Sequence, residues 1–171
     1  SMRANFVFVL FIGVFCVLQA LGDPRAGNQK EEIPMFATLP VRHISVSVNR
    51  APADVYKFAS DPRNLPKWAA GLSNSDVTQA GEEWIADSPM GKVRIRFAKN
   101  NTFGVMDHDV FLPSGERNHN PFRVLENGDG SEIVFTLYRR QRVSDQEFEK
   151  DAAQVEKDLN KLKGVLEQRT K

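Results

Sequence analysis

The feature that most constrains the fold is a long amphipathic helix predicted at the C-terminal end of the sequence. It starts at the run Ser144-Asp145-Gln146-Glu147, a capping box in which the Ser hydroxyl and the Glu carboxylate satisfy free backbone donors. Apolar residues then recur at steps of three and four along a helix of roughly 25 residues, about 38 Å long. They are Phe148, Ala152, Val155, Leu159, Leu162 and Leu166. We expect this apolar face to cover a sheet.

The preceding sequence predicts that sheet. Residues 43–48 alternate polar and apolar side chains with period two, which places Ile44, Val46 and Val48 on one buried face. Turn signals rich in Gly and Pro separate further runs of strand character, which together favour an antiparallel meander with one buried face. These runs are residues 83–87, 92–98, 104–112, 122–125 and 132–138.

Two short helices are predicted directly after the first strand. Pro52 suits a first helical turn, and the apolar spacing that follows predicts a helix that stops before Asp61-Pro62. Residues 64–70 predict a second short helix with Leu65 and Trp68 on its apolar side. The order of elements is therefore strand, two short helices, five or six strands and one long helix.

Residues 1–22 are predicted to lie outside this domain. Ser1 before Met2 is typical of a cloning scar, and Arg3 followed by a short apolar run and small residues is typical of a secretory signal peptide cut after Gly22. Residues 23–39 predict a flexible leader, and residues 40–171 the folded domain. We therefore expect a secreted or periplasmic protein with no stable membrane insertion after cleavage. Translation from Met35 would instead give a cytoplasmic protein.

The order of elements is that of the α+β helix-grip fold, in which a curved antiparallel sheet wraps a long C-terminal helix. The chain resembles the SRPBCC superfamily of START-like and polyketide cyclase/dehydrase-like proteins over about residues 41–168. The resemblance rests on VSVNRAPADVYKFASDPRNLPKW at residues 46–68, MDHDVFLPSG at 106–115 and NGDGSEIVFTLYR at 127–139. It implies a cavity between the sheet and the long helix.

Large apolar and aromatic residues on the elements that would border this cavity are the predicted ligand-binding set. His108 and Tyr138 are added because they offer polar atoms to orient a ligand. The full set is Tyr56, Trp68, Trp84, Phe97, Met106, His108, Phe122, Phe135, Tyr138 and Phe148. Any single one of them is more often an ordinary core residue, so the prediction concerns the set as a whole.

His108 is the one catalytic candidate, because an imidazole poised near neutral pH can act as a general acid or base. Asp107 and Asp109 share the opposite face of the predicted strand, which fits either a carboxylate pair for acid/base catalysis or a strand edge kept soluble by charge. Arg94 and Arg96 could meet an anionic group or form a solvated face.

Other chemistries lack their sequence signals. The single cysteine, Cys16, lies in the predicted signal peptide, so we expect no metal site of the Cys type, and a site built on His108 and His119 would need a favourable hairpin register. No phosphate-binding or dinucleotide motif is present, so no cofactor is predicted. Lys plus Arg total 23 against 22 Asp plus Glu, which gives no electrostatic footprint for nucleic acid.

Three functions remain open from the sequence. The first is binding of a small hydrophobic or amphipathic ligand between sheet and helix. The second is a cofactor-independent cyclase or dehydratase acting on a polyketide-like or aromatic substrate with His108 as acid or base. The third is a protein-interaction domain with a fully packed interior and an exposed apolar patch.

Overall fold

A computed structural model describes residues 37–168. The predicted signal peptide, the start site at Met35 and nearly all of the predicted leader lie outside the described residues and stay predictions. No helix within residues 37–168 is long and apolar enough to cross a membrane.

The described chain has the predicted α+β architecture. Eight strands and three α-helices follow one another in the expected order, with seven strands between α2 and α3 where five or six are predicted. They are β1 (Val41–Val48), α1 (Pro52–Ala59), α2 (Leu65–Trp68), β2 (Thr78–Ala80), β3 (Glu83–Ser88), β4 (Gly91–Phe97), β5 (His108–Phe111), β6 (Arg117–Asn120), β7 (Phe122–Asn127), β8 (Gly130–Tyr138) and α3 (Asp145–Gln168). Single 3-10 turns flank α2, so the predicted helix over residues 64–70 is shorter than expected.

The strands form two antiparallel sheets, ordered β1-β8-β7 and β2-β3-β4-β5-β6. The ladder is interrupted at Pro121, which separates β6 from β7 and has no N–H to donate. An isolated bridge between Val105 and Arg123 joins the sheets, supported by a Met106 N–H bond to the Phe122 carbonyl at 2.8 Å. The result is the curved surface of the helix-grip fold, as predicted.

Residues 104–107 were predicted as strand and are not one. Gly104 has a φ of +69°, and a Cβ there would meet the Val124 carbonyl oxygen at 2.1 Å. Only a glycine can lie this close to β7 in this conformation. The chain therefore bends from one sheet to the other and becomes β5 only at His108.

The long helix α3 confirms the capping box and the apolar face. The Ser144 N–H donates to Glu147 Oε2 at 2.9 Å, and the Glu147 N–H donates to Ser144 Oγ at 3.3 Å. All six residues predicted on the apolar face are buried. The inner face of β4 also alternates as predicted, since Val93 and Ile95 are buried between exposed basic residues. Helix and sheet thus enclose one apolar interior.

Candidate functional site: an aromatic cleft at the open end of the sheet

An open cleft of about 770 Å³ lies where α1, β3 and β4 meet. Three aromatic side chains from the predicted set line it, each from a different element: Tyr56 from α1, Trp84 from β3 and Phe97 from β4. All three are half-buried, so their rings pack on the core on one side and face the cleft on the other. We call this site the aromatic cleft.

The rim of the aromatic cleft is charged. Arg63 is held by a two-pronged ion pair with Asp61, with nitrogen to oxygen distances of 2.8 Å, and Arg96 binds Glu83 at 2.6 Å. Lys57 and Lys99 also line the cleft and form no ion pair with any residue in the described part of the chain. Glu82 lines the cleft as well, without an ion pair in the described residues, so the two lysines outnumber the one carboxylate among the uncompensated charges at the rim.

Tyr56 separates this cleft from a second groove of about 530 Å³ on the other side of its ring. Its hydroxyl oxygen accepts a hydrogen bond from the Asn101 N–H at 3.0 Å. The Asn101 side chain in turn holds its own loop, since Oδ1 accepts from the Phe103 and Val105 N–H groups at 3.0 and 3.1 Å. This loop over residues 98–107 forms one wall of both depressions.

His108 lies immediately behind the aromatic cleft. It is 4% exposed, its ring stacks on Phe97 with centroids 4.8 Å apart, and its Nδ1 lies 3.2 Å from the Met106 carbonyl oxygen. Burial lowers the pKa of His108 to about 4, although the bond to Met106 acts in the opposite direction. The imidazole is therefore neutral at pH 7 and its Nδ1–H is the donor to the carbonyl.

The deeper members of the predicted set form a packed cluster. Trp68, Met106, Phe122 and Phe135 are each at most 1% exposed. The ring centroid of Phe122 lies 6.1 Å from that of Trp68 and 5.9 Å from that of Phe135. These are the distances of aromatic rings in contact. Phe148 joins the same core from α3. These side chains support the cleft from behind, with His108 between the two layers.

Tyr138 stands apart from the rest of the set. Its side chain is exposed at the end of β8 and borders a separate depression between β6 and β8. The predicted set therefore divides into three places: the aromatic cleft, the packed interior and this distant strand end.

The two carboxylates beside His108 are each held by partners of their own. Asp107 accepts a hydrogen bond from the Phe122 N–H at 2.8 Å and pairs with Arg123. Asp109 binds Arg117 at 2.8 Å and His119 at 2.9 Å.

Partial burial acts to raise the pKa of Asp109, but the bonds to Arg117 and His119 keep this pKa below its usual value. The register pairs Asp109 with His119, so His119 points away from the face that carries His108. Within residues 37–168 no group of three or more His, Cys, Asp or Glu is placed to hold a metal ion.

Sequence reasoning missed two parts of this region. Asn101 carried no motif, because its role depends on a loop path that only the folded chain defines. Strand β6, with the sequence RNHN, has no apolar residue and gave no period-two signal. Asn118 and Asn120 of this strand nevertheless point inward and are buried.

The arrangement defines a helix-grip protein. The family described as "Polyketide cyclase / dehydrase and lipid transport" matches residues 42–167, and the chain belongs to this family. No sequence among curated proteins matches significantly.

Solved structures agree on the fold at low sequence identity. The protein XoxI from Bacillus cereus superposes with a TM-score of 0.60 and 16% identity, over 75% of this chain and 96% of its own. DynU16, from the dynemicin biosynthetic locus, gives a TM-score of 0.59 and 14% identity over 74% of this chain and 47% of its own. Ara h 8.0201 gives a TM-score of 0.56 and 11% identity over 75% of this chain and 98% of its own. Identities this low define the fold alone.

Proposed function

We propose that the protein binds a small hydrophobic or amphipathic ligand and that the aromatic cleft is where the ligand is held. The observation that carries this proposal is the convergence of Tyr56, Trp84 and Phe97, from three separate elements, on one cleft of about 770 Å³. A concave site lined by aromatic rings with a few polar groups at its rim is the usual form of a small-molecule site. The family's description, which includes lipid transport, is consistent with such a ligand.

The charges at the rim favour an amphipathic ligand with an anionic group. Lys57 and Lys99 reach the cleft without an acidic partner in the described chain, whereas the rim arginines Arg63 and Arg96 are engaged by carboxylates. Such a ligand would place its apolar part against the three aromatic rings and its anionic group near the two lysines. Electrostatic attraction of this exposed kind contributes modestly and is weakened by salt.

Binding is favoured over catalysis by the surroundings of His108. A general base works best with a pKa near the working pH, and burial lowers the pKa of His108 to about 4. Its Nδ1–H is committed to the Met106 carbonyl, and Phe97 covers one ring face. If catalysis were the function, His108→Gln would abolish turnover and leave ligand affinity largely intact. If binding is the function, changes at the cleft will reduce affinity.

The direct test is titration with the fluorescent amphiphile 1-anilinonaphthalene-8-sulfonate, which joins aromatic rings to one anion. Trp84→Ala should weaken its binding by roughly fivefold or more, because a half-buried indole supplies much of the apolar contact area. Tyr138→Ala is the matched control, since this aromatic residue is exposed and lies outside the cleft. Equal affinities for the wild type and Trp84→Ala would exclude the aromatic cleft as the binding site.

Native mass spectrometry of protein purified without detergent would identify the natural ligand. We expect a small-molecule adduct in the wild type that is reduced in Trp84→Ala and retained in Tyr138→Ala. An adduct that survives Trp84→Ala unchanged would place the ligand elsewhere in the molecule.

A further inference from the structure

A second groove lies beside the aromatic cleft, between the start of α1, the end of β7 and the loop that joins β4 to β5. Its volume is about 530 Å³. We call it the Phe103 groove, and its lining includes Pro52, Ala53, Tyr56, Phe103, Leu125 and Glu126. Most of these side chains are apolar.

The apolar side chains of the Phe103 groove can be reached from solvent. Phe103 is 80% exposed and Leu125 is 48% exposed, and Ala53 is exposed on α1. Phenylalanine and leucine are among the residue types most often buried, and a patch of exposed apolar surface is typical of a binding groove. A ligand in the groove would contact these side chains directly.

The loop holds Phe103 in this exposed position. Asn101 Oδ1 accepts a hydrogen bond from the Phe103 N–H at 3.0 Å, and Asn101 Nδ2 donates to the Val105 carbonyl at 2.9 Å. Gly104 is anchored to β7, because its carbonyl accepts from the Val124 N–H at 2.9 Å. The loop is therefore fixed on both sides of Phe103, and a ligand does not have to order it on binding.

The Phe103 groove and the aromatic cleft are neighbours that share one side chain. Tyr56 lines both, and the loop contributes residues 98–100 to the cleft and residues 101–104 to the groove. The Tyr56 hydroxyl, which accepts from the Asn101 N–H at 3.0 Å, connects α1 to the loop between the two depressions. Tyr56 is only half-buried, so a ligand can cross the open part of its ring. The two depressions thus form one elongated surface.

The charges differ between the two depressions. Glu126 is the one charged residue among the described residues that line the Phe103 groove. In the aromatic cleft, Lys57 and Lys99 outnumber Glu82, and none of the three forms an ion pair within the described chain. An anionic group is therefore favoured at the cleft and disfavoured at the groove, whose apolar side chains suit a hydrocarbon.

We propose that the Phe103 groove is a subsite for the unbranched hydrocarbon chain of a ligand whose anionic end lies at the lysines of the aromatic cleft. This inference rests on the proposed function of the cleft and narrows its ligand to an anionic amphiphile with a chain long enough to pass Tyr56. Beyond Tyr56 the chain lies against Pro52, Phe103 and Leu125.

The test is isothermal titration calorimetry with octanoate, tetradecanoate and tetradecylamine, each below the concentration at which it forms micelles. Tetradecanoate should bind at least about tenfold more tightly than octanoate, because each methylene that is fully buried strengthens binding by up to about fourfold. Tetradecylamine should bind more weakly than tetradecanoate, since its cationic end would meet the lysines of the cleft.

Variants separate the Phe103 groove from the cleft. Phe103→Ala should weaken tetradecanoate binding by about three- to tenfold and leave octanoate binding unchanged. Tyr138→Ala, at an exposed aromatic residue outside both depressions, should change neither. Ala53→Asp, which places a carboxylate in the groove, should weaken tetradecanoate binding more than octanoate binding. Ala153→Asp makes the same change in net charge at an exposed alanine on α3 and should have no such selectivity.

The proposal and the function on which it rests fail in different ways. If Trp84→Ala weakens both acids while Phe103→Ala and Ala53→Asp discriminate between neither, the cleft stands and the groove is not a subsite. If Trp84→Ala weakens neither acid, the proposed function is itself wrong. Because Phe103 and Ala53 are exposed, both groove variants should fold, and either one alone decides the outcome.

Three further results would overturn the proposal. Tetradecylamine that binds as tightly as tetradecanoate would contradict the orientation of the ligand. A dimer in sedimentation velocity that Phe103→Ala dissociates would show that a second copy of the chain covers the groove. Cosedimentation with phosphatidylglycerol vesicles that is lost in Phe103→Ala would show that the groove contacts a membrane instead.

Discussion

The aromatic cleft and the packed interior behind it are built from the same kinds of side chain but differ in how deeply those side chains are buried. Phe97 and Trp84 are half-buried at the cleft, whereas Phe122, Phe135 and Trp68 are at most 1% exposed. His108 lies at the boundary, stacked on Phe97 and with its centroid 6.3 Å from that of Phe122. The difference shows that the place of each ring in the fold, rather than its residue type, decides whether it borders the cleft or lies in the interior.

The largest expected effect comes from truncating the interior. Phe122→Ala should cost about 3–5 kcal/mol in the free energy of unfolding, because it removes a fully buried ring from contact with its aromatic neighbours. Phe97→Ala should cost only about 1 kcal/mol, since part of that ring already faces the cleft. Urea unfolding measures both. Similar losses of stability for the two variants would contradict the distinction between a packed interior and a cleft whose rings are only partly packed.

The boundary residue His108 should make stability depend on pH. Its pKa is lowered to about 4 in the folded protein, against about 6.5 for an ordinary histidine, so the unfolded chain binds the proton more tightly. The contribution of neutral His108 to the free energy of unfolding is fully present above pH 6.5 and is lost as the pH falls toward 4. Between pH 7 and pH 5 the loss should be about 2 kcal/mol.

His108→Phe should remove this loss while keeping a ring beside Phe97. Urea unfolding at pH 7 and pH 5 measures the free energy of unfolding of both proteins. The loss between pH 7 and pH 5 should be smaller in the variant by about 2 kcal/mol. An identical pH dependence in wild type and His108→Phe would show that folding does not change the pKa of His108.

Asp158 on α3 should make stability depend on pH in the opposite direction to His108. It is 2% exposed, its Oδ1 accepts from Gln154 Nε2 at 2.9 Å and from the Ala70 N–H at 3.3 Å, and its Oδ2 has no partner among the described residues. Burial raises the pKa of Asp158 to about 6 despite the hydrogen bonds to Ala70 and Gln154. The folded state therefore binds the proton of Asp158 more tightly than the unfolded chain does. The ionised carboxylate destabilises the fold fully above pH 6, and this effect fades as the pH falls toward 3.8.

Asp158→Asn should raise the free energy of unfolding by about 2 kcal/mol at pH 7, because it removes the buried charge and retains an acceptor for Gln154 and Ala70. The gain should be about 1 kcal/mol smaller at pH 5. Glu156→Gln, at an exposed carboxylate in the middle of α3, is the control for a simple change of net charge. A destabilised Asp158→Asn would mean that the ionised carboxylate has a partner that stabilises it.

The sequence predicts the elements whose periodicity reports their burial directly. The steps of three and four in α3 and the alternation of β4 predict which faces are buried, and both are confirmed. Periodicity does not predict strand β6, because its sequence RNHN has no apolar residue. This segment is a strand only because it pairs with β5.

The candidate site is predicted only in part, for a related reason. Trp68 and Trp84 are the same residue type on elements of the same domain, yet one is enclosed and the other borders a cleft. What separates them is the path of the loop over residues 98–107, held by Asn101 and by Gly104 against β7. Long-range geometry of this kind leaves no local pattern, so sequence supplies the list of aromatic residues but not their depth.

The smallest expected effect concerns the charges outside the cleft. Glu83 binds Arg94 at 2.7 Å and Arg96 at 2.6 Å, and these two bonds lower the pKa of its carboxyl. Of these arginines, Arg96 also lines the aromatic cleft. Glu83→Gln should free positive charge at the rim and strengthen binding of 1-anilinonaphthalene-8-sulfonate by about twofold at low salt, with the gain fading at high salt. Glu156→Gln, at an exposed position on α3, makes the same change in net charge away from the cleft and should have no such effect. A gain that persists at high salt, or one shared by both variants, would show that contact with the rings rather than charge at the rim distinguishes the cleft from the interior.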